Sequence, residues 1–313
     1  MASSAAERVA RPPGRTGDRV FKGIATSAGV LILLVLAGVA LFLTYEGFPA
    51  FTAAPGEIPG AGGITGYIWP LVFGTLLSSF LALVVAAPLA IGVALFISHY
   101  CPRRLVGPLG YLIDLLAAIP SVVYGLWGIF YLAPHLVPSY TWLAGHLGFL
   151  PFFSGPASVT GRTILTASLV LSVMVLPIVT ALCREIFLQT PRLHEEAALA
   201  LGATRWEMIR MTVFPYARSG MVSAVMLGLG RALGETMAVA MTLSATGVIT
   251  VDLISSTNPS TIAANIALKF PDSTGIQVNA LVASGLVLFA ITFAVNFAAR
   301  AIVGRRREFS GAN

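Results

Sequence analysis

Six long apolar segments limit the folds that this sequence can adopt. Each can supply the roughly 20 residues of a membrane-spanning helix, and none alternates as a barrel strand would. Charged residues make up 10% of the chain, against about 25% in soluble proteins. We therefore predict an all-α integral membrane protein with six transmembrane helices. The segments lie near residues 23–45, 72–99, 109–133, 163–188, 219–246 and 278–302.

Basic residues predict how these helices are oriented. Nearly all of the 19 Lys and Arg residues lie in the N-terminal tail, after the second and fourth segments, and at the C-terminal end. Cytoplasmic loops carry such an excess, so both termini are predicted to be cytoplasmic and the number of spans to be even. The opposite loops hold only Arg162 and Lys269. Neither Cys101 nor Cys183 has the spacing of a disulfide framework or a metal site, so no metal is expected.

The alternation of apolar segments and loops divides the chain into regions. The outer loop 134–162 is aromatic and Pro-rich and is expected to lie on the surface. The outer loop 247–277 contains a plausible short helix, STIAANIALKF. The predicted regions are a cytoplasmic tail 1–22, a first transmembrane helix 23–45, a Pro/Gly-rich outer loop 46–70, a core transmembrane domain 71–303 with an inner loop 190–218, and a cytoplasmic tail 304–313.

Two opposite charges interrupt the fifth apolar segment, in GLGRALGETMA. Arg231 and Glu235 are four residues apart, which would place them on one face of a single spanning helix. A charge at a helix centre costs about 2.5–3.5 kcal/mol, so such residues face a partner or a wet pathway. Two interpretations remain: an ion pair that fixes helix packing, or a path on which the guanidinium binds phosphate oxygens. Gly230 and Gly234 have the spacing that allows close helix approach.

The third segment contains AAIPSVVYGL. Pro120 removes a backbone hydrogen bond and is predicted to kink the helix. Ser121 and Tyr124 would then line an opening, or the kink would serve packing alone. Asp114 is interpreted as a charge near the membrane interface.

The inner loop 190–218 has the pattern of two short helices. HEEAALALGA favours a helix that ends at Gly202, and Thr204 with Glu207 has the spacing of a capping box at the start of the next. Pro215 is expected to limit the second helix. The pair is either an interfacial linker or a rigid element that fits a groove on a partner.

This loop resembles the EAA motif of ABC importer permeases. The ending departs slightly, because Thr212 and Phe214 replace the usual aliphatic residues. The resemblance implies a type I (MetI-like) permease fold, and a coupling helix seated in a separate ATP-binding subunit. The positions that match the motif in register are Glu196, Ala197, Ala198, Gly202 and Pro215.

AAIPSVVYGL and GRALGETMAV resemble the phosphate-specific permease subunits of the PstC type, and GETMAV favours that type over the paired PstA type. The resemblance implies a multi-pass protein of the bacterial inner membrane that imports inorganic phosphate. Its implied partners are a PstA-type permease, two PstB-type ATP-binding subunits and an extracytoplasmic PstS-type phosphate-binding protein. The residues implied for the substrate path are Arg231, Glu235, Ser121 and Tyr124.

The sequence itself indicates that ATP is hydrolysed by another chain. A Walker A loop ends in Gly-Lys-Ser/Thr, whereas the two lysines, Lys22 and Lys269, follow Phe and Leu. We therefore expect no catalytic residue and no cofactor in this chain. Two alternatives remain open: an ion-coupled secondary transporter with Glu235 or Asp114 as proton site, and an ABC permease for another oxyanion such as sulfate or molybdate.

Overall fold

The computed structural model describes residues 15–54, 56–58 and 62–304, and helices make up most of them. The all-α prediction is confirmed. The basic residues Arg8, Arg11, Arg305, Arg306 and Arg307, which contribute to the predicted orientation, lie outside the described residues. The helices are α1 Arg15–Thr52, α2 Ile64–Leu95, α3 Arg103–Ala117, α4 Ser121–Trp127, α5 Ala133–Leu147, α6 Ile164–Leu188, α7 Arg192–Ala200, α8 Arg205–Met208, α9 Phe214–Leu233, α10 Met237–Thr242, α11 Ile262–Lys269 and α12 Ile276–Gly304.

Within the described residues, five helical stretches are long and apolar enough to cross a membrane. The predicted segment 219–246 is not one of them, because its helix is interrupted. The count of six spans therefore stays a prediction. The five stretches are Gly17–Thr52, Ile64–Tyr100, Ser121–Leu147, Ile164–Leu188 and Ile276–Ala301.

The prediction of one continuous helix through Arg231 and Glu235 is wrong. Helix α9 ends at Leu233, and α10 begins only at Met237. Gly234 is a poor helix former at the point of interruption. Glu235 contributes to the break, since its side chain binds the backbone at the start of α10 instead of continuing α9.

A second break divides the predicted third segment. Helix α3 ends at Ala117 and α4 starts at Ser121, so Pro120 separates two helices instead of kinking one. The residue before a proline disfavours the α conformation, which explains the stop at this point. The helix then continues to Leu147, so the first part of the predicted outer loop 134–162 is helical. The predicted loop 46–70 is likewise helical at both ends, because α1 reaches Thr52 and α2 starts at Ile64.

Two helices continue across a proline because a π turn precedes it. The π turn Gly128–Leu132 joins α4 to α5, and the π turn Ile209–Val213 joins α8 to α9. Each ends two residues before a proline, Pro134 or Pro215. The ring of a proline clashes with the carbonyl four residues earlier, and here that carbonyl belongs to the middle of the π turn. Pro215 therefore does not end the helix as predicted.

Helix α6 forms the centre of the core. It packs against α2, α3 and α9, whereas α1 packs mainly against α12. Small residues bring the helices close together: Gly228 of α9 lies against Val175 and Val179 of α6, with no room for a side chain. Helix α2 presents a buried stripe of small residues spaced by four, Ala82, Ala86, Ala90 and Ala94. This frame holds the two broken helices beside each other.

Candidate functional site

The break in the fifth segment is stabilised by Glu235. Its side chain is buried, with 8% of the residue exposed, and its Oε1 accepts a hydrogen bond of 3.1 Å from the Ala238 N–H. A carboxylate in this position satisfies an unpaired donor and complements the positive end of the helix dipole. Glu235 thus serves as a helix cap, a role that the sequence interpretation missed.

Arg231 lies in the last turn of α9 and is exposed. Among the described residues, the ion pairs are His99–Glu195, Arg184–Asp114 and Arg184–Glu185, so the predicted Arg231–Glu235 pair does not form. The break explains this difference, because the two residues no longer share a helix face. Asp114 is exposed and lies 4.0 Å from Arg184, in keeping with its interpretation as a charge outside the core.

The two breaks lie side by side. Helix α4 packs against α10, and a Cβ at Gly125 would come within 3.0 Å of the Ala238 Cα. The Tyr124 hydroxyl donates a 2.8 Å hydrogen bond to the Leu116 carbonyl of α3. Tyr124 therefore bridges the break between α3 and α4, and the next residue, Gly125, lies against α10. Ser121 is the half-buried first residue of α4.

The close approach predicted at Gly230 and Gly234 is not observed. A Cβ at Gly230 would meet open space within the described residues, and at Gly234 it would meet only the Gly230 carbonyl, at 3.6 Å. The tight helix contacts lie instead at Gly228, Gly125 and Gly128. Open space beside Arg231 leaves its last helical turn accessible.

The inner loop forms two helices, as predicted. Helix α7 ends near Gly202, whose φ of +88° favours glycine. Ala198 is buried in the main core, whereas Glu196 and Ala197 are exposed and Leu201 is 89% exposed. An open cavity of about 530 Å³ lies between the helices. The EAA segment thus presents Glu196, Ala197 and Leu201 to solvent, while Ala198 anchors it to the core.

The predicted capping box at the start of α8 is confirmed. The Thr204 hydroxyl accepts a hydrogen bond from the Glu207 N–H, and Glu207 Oε2 accepts one of 2.8 Å from the Thr204 N–H. Hydrogen bonds from Thr204 stabilise the charged carboxylate, so they hold the pKa of Glu207 below its ordinary value. The loop is therefore ordered by its own sequence.

Two further contacts position the site, and sequence reasoning did not find them. His99, at the inner end of α2, lies 3.5 Å from Glu195 of α7 and ties the inner loop to the transmembrane core. Arg162, considered before only as an outer basic residue, donates hydrogen bonds to carbonyls at the end of α10. Neither residue stands in a recognisable motif, because its partner is distant in sequence.

Solved structures define the class of protein to which this fold belongs. A bacterial ABC transporter involved in the import of the acidic polysaccharide alginate aligns with a TM-score of 0.57 over 93% of this chain and 99% of that chain, at 16% identity. The inward-facing MetNI methionine ABC transporter aligns with a TM-score of 0.50 over 76% and 93%, at 20% identity. The fold is therefore that of an ABC importer permease.

Residues 86–308 match the family described as binding-protein-dependent transport system inner membrane component. A curated relative from Mycobacterium bovis, named phosphate transport system permease protein PstC 2, is 47% identical over 93% of both chains. The PstC protein of Mycobacterium leprae is 44% identical over 93% of this chain and 95% of its own length. The PstC protein of Mesorhizobium japonicum is 36% identical over 94% of this chain and 92% of its own length. The chain belongs to this family of inner-membrane permeases, among its PstC-type members.

Proposed function

We propose that the chain is one of the two membrane subunits of an ATP-driven importer of inorganic phosphate. The names of relatives at 36–47% identity over most of the chain support phosphate as the solute. The main observation that supports a substrate path is that the exposed Arg231 lies beside two adjacent helix breaks, between α3 and α4 and between α9 and α10. Breaks of this kind in membrane proteins accompany cavities and binding sites.

In this proposal Arg231 contacts phosphate, and its planar donors suit the phosphate oxygens. Ser121 and Tyr124 line the same path from the neighbouring break. Glu235 keeps the break in shape, because its carboxylate accepts a hydrogen bond from the start of α10. Binding must be weak, because the ion has to leave again.

The remaining subunits follow from the surfaces that this chain presents. A PstA-type permease would complete the pathway. Two PstB-type subunits would hydrolyse ATP, one of them seated on residues 196–202, since this chain has no P-loop. A PstS-type protein would deliver phosphate to the outer loops, whose segments 148–163 and 243–261 are joined by backbone hydrogen bonds such as Ser158 to Ile254.

The test is uptake of labelled phosphate by the assembled complex in proteoliposomes. We expect uptake to need ATP, and excess sulfate or molybdate to leave it unchanged while excess phosphate abolishes the signal. Arg231→Ala should abolish uptake while the subunits still co-purify. Arg231→Lys retains the charge but not the planar donors, so wild-type uptake by this variant would contradict the geometric role.

The outcome also separates the alternatives. Uptake that persists without ATP and collapses with the membrane potential would indicate an ion-coupled transporter. Uptake that sulfate or molybdate blocks would indicate a different oxyanion.

A further inference from the structure

Helix α10 is held at both ends by opposite charges. At its N-terminus the Glu235 carboxylate accepts from the Ala238 N–H. At its C-terminus the Arg162 Nη2 donates to the Leu243 carbonyl at 3.1 Å and to the Ala240 carbonyl at 3.5 Å. The signs match the helix dipole, which is positive at the start and negative at the end. A helix of six residues is too short to be stable alone, so these two contacts add to its packing against α4, α6 and α11.

Arg162 reaches α10 from the outer loop that leads into α6. The next residue, Thr163, caps α6, since its hydroxyl accepts a hydrogen bond from the Thr166 N–H. The Arg162 guanidinium is half-buried and its Nε has no partner among the described residues, so both of its hydrogen bonds go to the end of α10. The contact spans 78 to 81 residues of sequence. It therefore links α6 to the fifth segment at the outer face.

The same outer face is tied together by Asn258. Its side-chain oxygen accepts from the Ile164 N–H at 3.3 Å, and its amide donates to the Ser244 and Ser255 carbonyls. Ser244 directly follows Leu243, one of the carbonyls that Arg162 binds. A displacement of the loop 243–261 relative to α6 would therefore change the Arg162 contact together with the Asn258 hydrogen bonds.

Helix α10 carries such a displacement towards the substrate path. It packs against α4 at Gly125, one residue after Tyr124, and it starts two residues after Glu235. The path from the outer loops to Arg231 is thus short and consists of a single small helix.

We propose that Arg162 is a positioning residue that couples the outer loops to α10, so that docking of the binding protein changes the break beside Arg231. This inference rests on the proposed importer function for its assay, but it concerns a residue outside the proposed substrate path. If Arg162 has this role, its loss should reduce the stimulation of ATP hydrolysis by the binding protein while the complex still assembles.

The test uses the assembled transporter in proteoliposomes, with and without the loaded binding protein. Arg162→Gln removes the charge but retains one donor, and Arg162→Lys retains the charge. Arg300→Gln is the matched control, since Arg300 is exposed on α12, far in sequence from α10. The readouts are ATP hydrolysis alone, its stimulation by the binding protein, and solute uptake.

For Arg162→Gln we expect basal hydrolysis within about twofold of wild type and stimulation lowered by about tenfold, within the usual range of coupling between sites. Arg162→Lys should be intermediate, and Arg300→Gln should match wild type. Wild-type stimulation in Arg162→Gln, or equal losses of basal and stimulated hydrolysis in Arg162→Lys, would overturn the proposal. If wild-type complex is stimulated but does not import phosphate, the proposed solute fails while the role of Arg162 stands.

Discussion

Replacement of Gly128 by alanine tests whether the π turn between α4 and α5 packs as closely against α10 and α6 as the structure indicates. A Cβ at this position would lie 2.6 Å from the Thr242 Cγ2 and 2.7 Å from the Val170 Cγ2. Thr242 and Val170 are both fully buried, and both branch at Cβ, so they have few alternative rotamers. The added methyl group must therefore displace a helix.

Overpacking of this kind costs about 1–3 kcal/mol. An alanine also favours the helix over a glycine by about 1 kcal/mol, which would obscure the loss. Gly145 supplies the matched control, because it lies on the same continuous helix, is exposed, and would place its Cβ in open space. The helix-propensity gain cancels in the comparison, so Gly128→Ala should be less stable than Gly145→Ala by about 1–3 kcal/mol.

The measurement is thermal unfolding of both purified variants in the same detergent. A difference of this size corresponds to a midpoint about 2–12 °C lower for Gly128→Ala, on the scale of medium-sized domains. Phosphate uptake should fall with it, because the displaced helix carries the break at Glu235. Equal midpoints for the two variants would refute the close packing of this π turn against α10 and α6.

The remaining predictions concern polar contacts outside the break. Thr204→Ala removes the cap of α8 and should raise amide exchange around residues 204–209, by the equivalent of about 0.5–2 kcal/mol. Because the folded-state pKa of Glu207 lies below the ordinary 4.5, this protection should be present above that pH and be lost as the pH falls through the lower value. In Thr204→Ala the pH dependence should weaken but persist, because the backbone N–H of residue 204 still donates to the Glu207 carboxylate. Thr75→Val should cost about 1–3 kcal/mol in unfolding experiments, since the buried Thr75 hydroxyl accepts from the Ile262 N–H at 2.9 Å, and Thr75→Ser should restore most of it.

Local signals predicted the inner loop well. The capping box of Thr204 and Glu207 and the turn at Gly202 involve residues that are close in sequence. These interactions can therefore be predicted from the sequence alone. The short helix in STIAANIALKF was predicted for the same reason and is α11. These elements need no information about the rest of the chain.

The break at Glu235 could not be predicted in this way. Its sequence is compatible with a continuous helix, and the choice depends on neighbours that only the tertiary structure supplies. Gly125 of α4 and Gly128 of the following π turn make room for α10, and Arg162 holds its far end. Pro215 is the opposite case, because the sequence predicts a helix end where the structure has none. A π turn before Pro215 lets the helix continue.

The separation of Arg231 from Glu235 changes the energetics of the fifth segment. Had they paired, each charge would have offset the cost of burying the other, and Arg231 would have had to exchange one carboxylate for a phosphate. Instead, the backbone of α10 stabilises the Glu235 charge, and the Arg231 charge is left exposed at a helix end. A charge at the centre of a membrane-spanning helix costs about 2.5–3.5 kcal/mol, so in the proposed path Arg231 would face water, an anion or the partner permease. Phosphate bound at Arg231 would reduce this cost without breaking a bond inside the chain, which is what a site that must load and unload repeatedly requires.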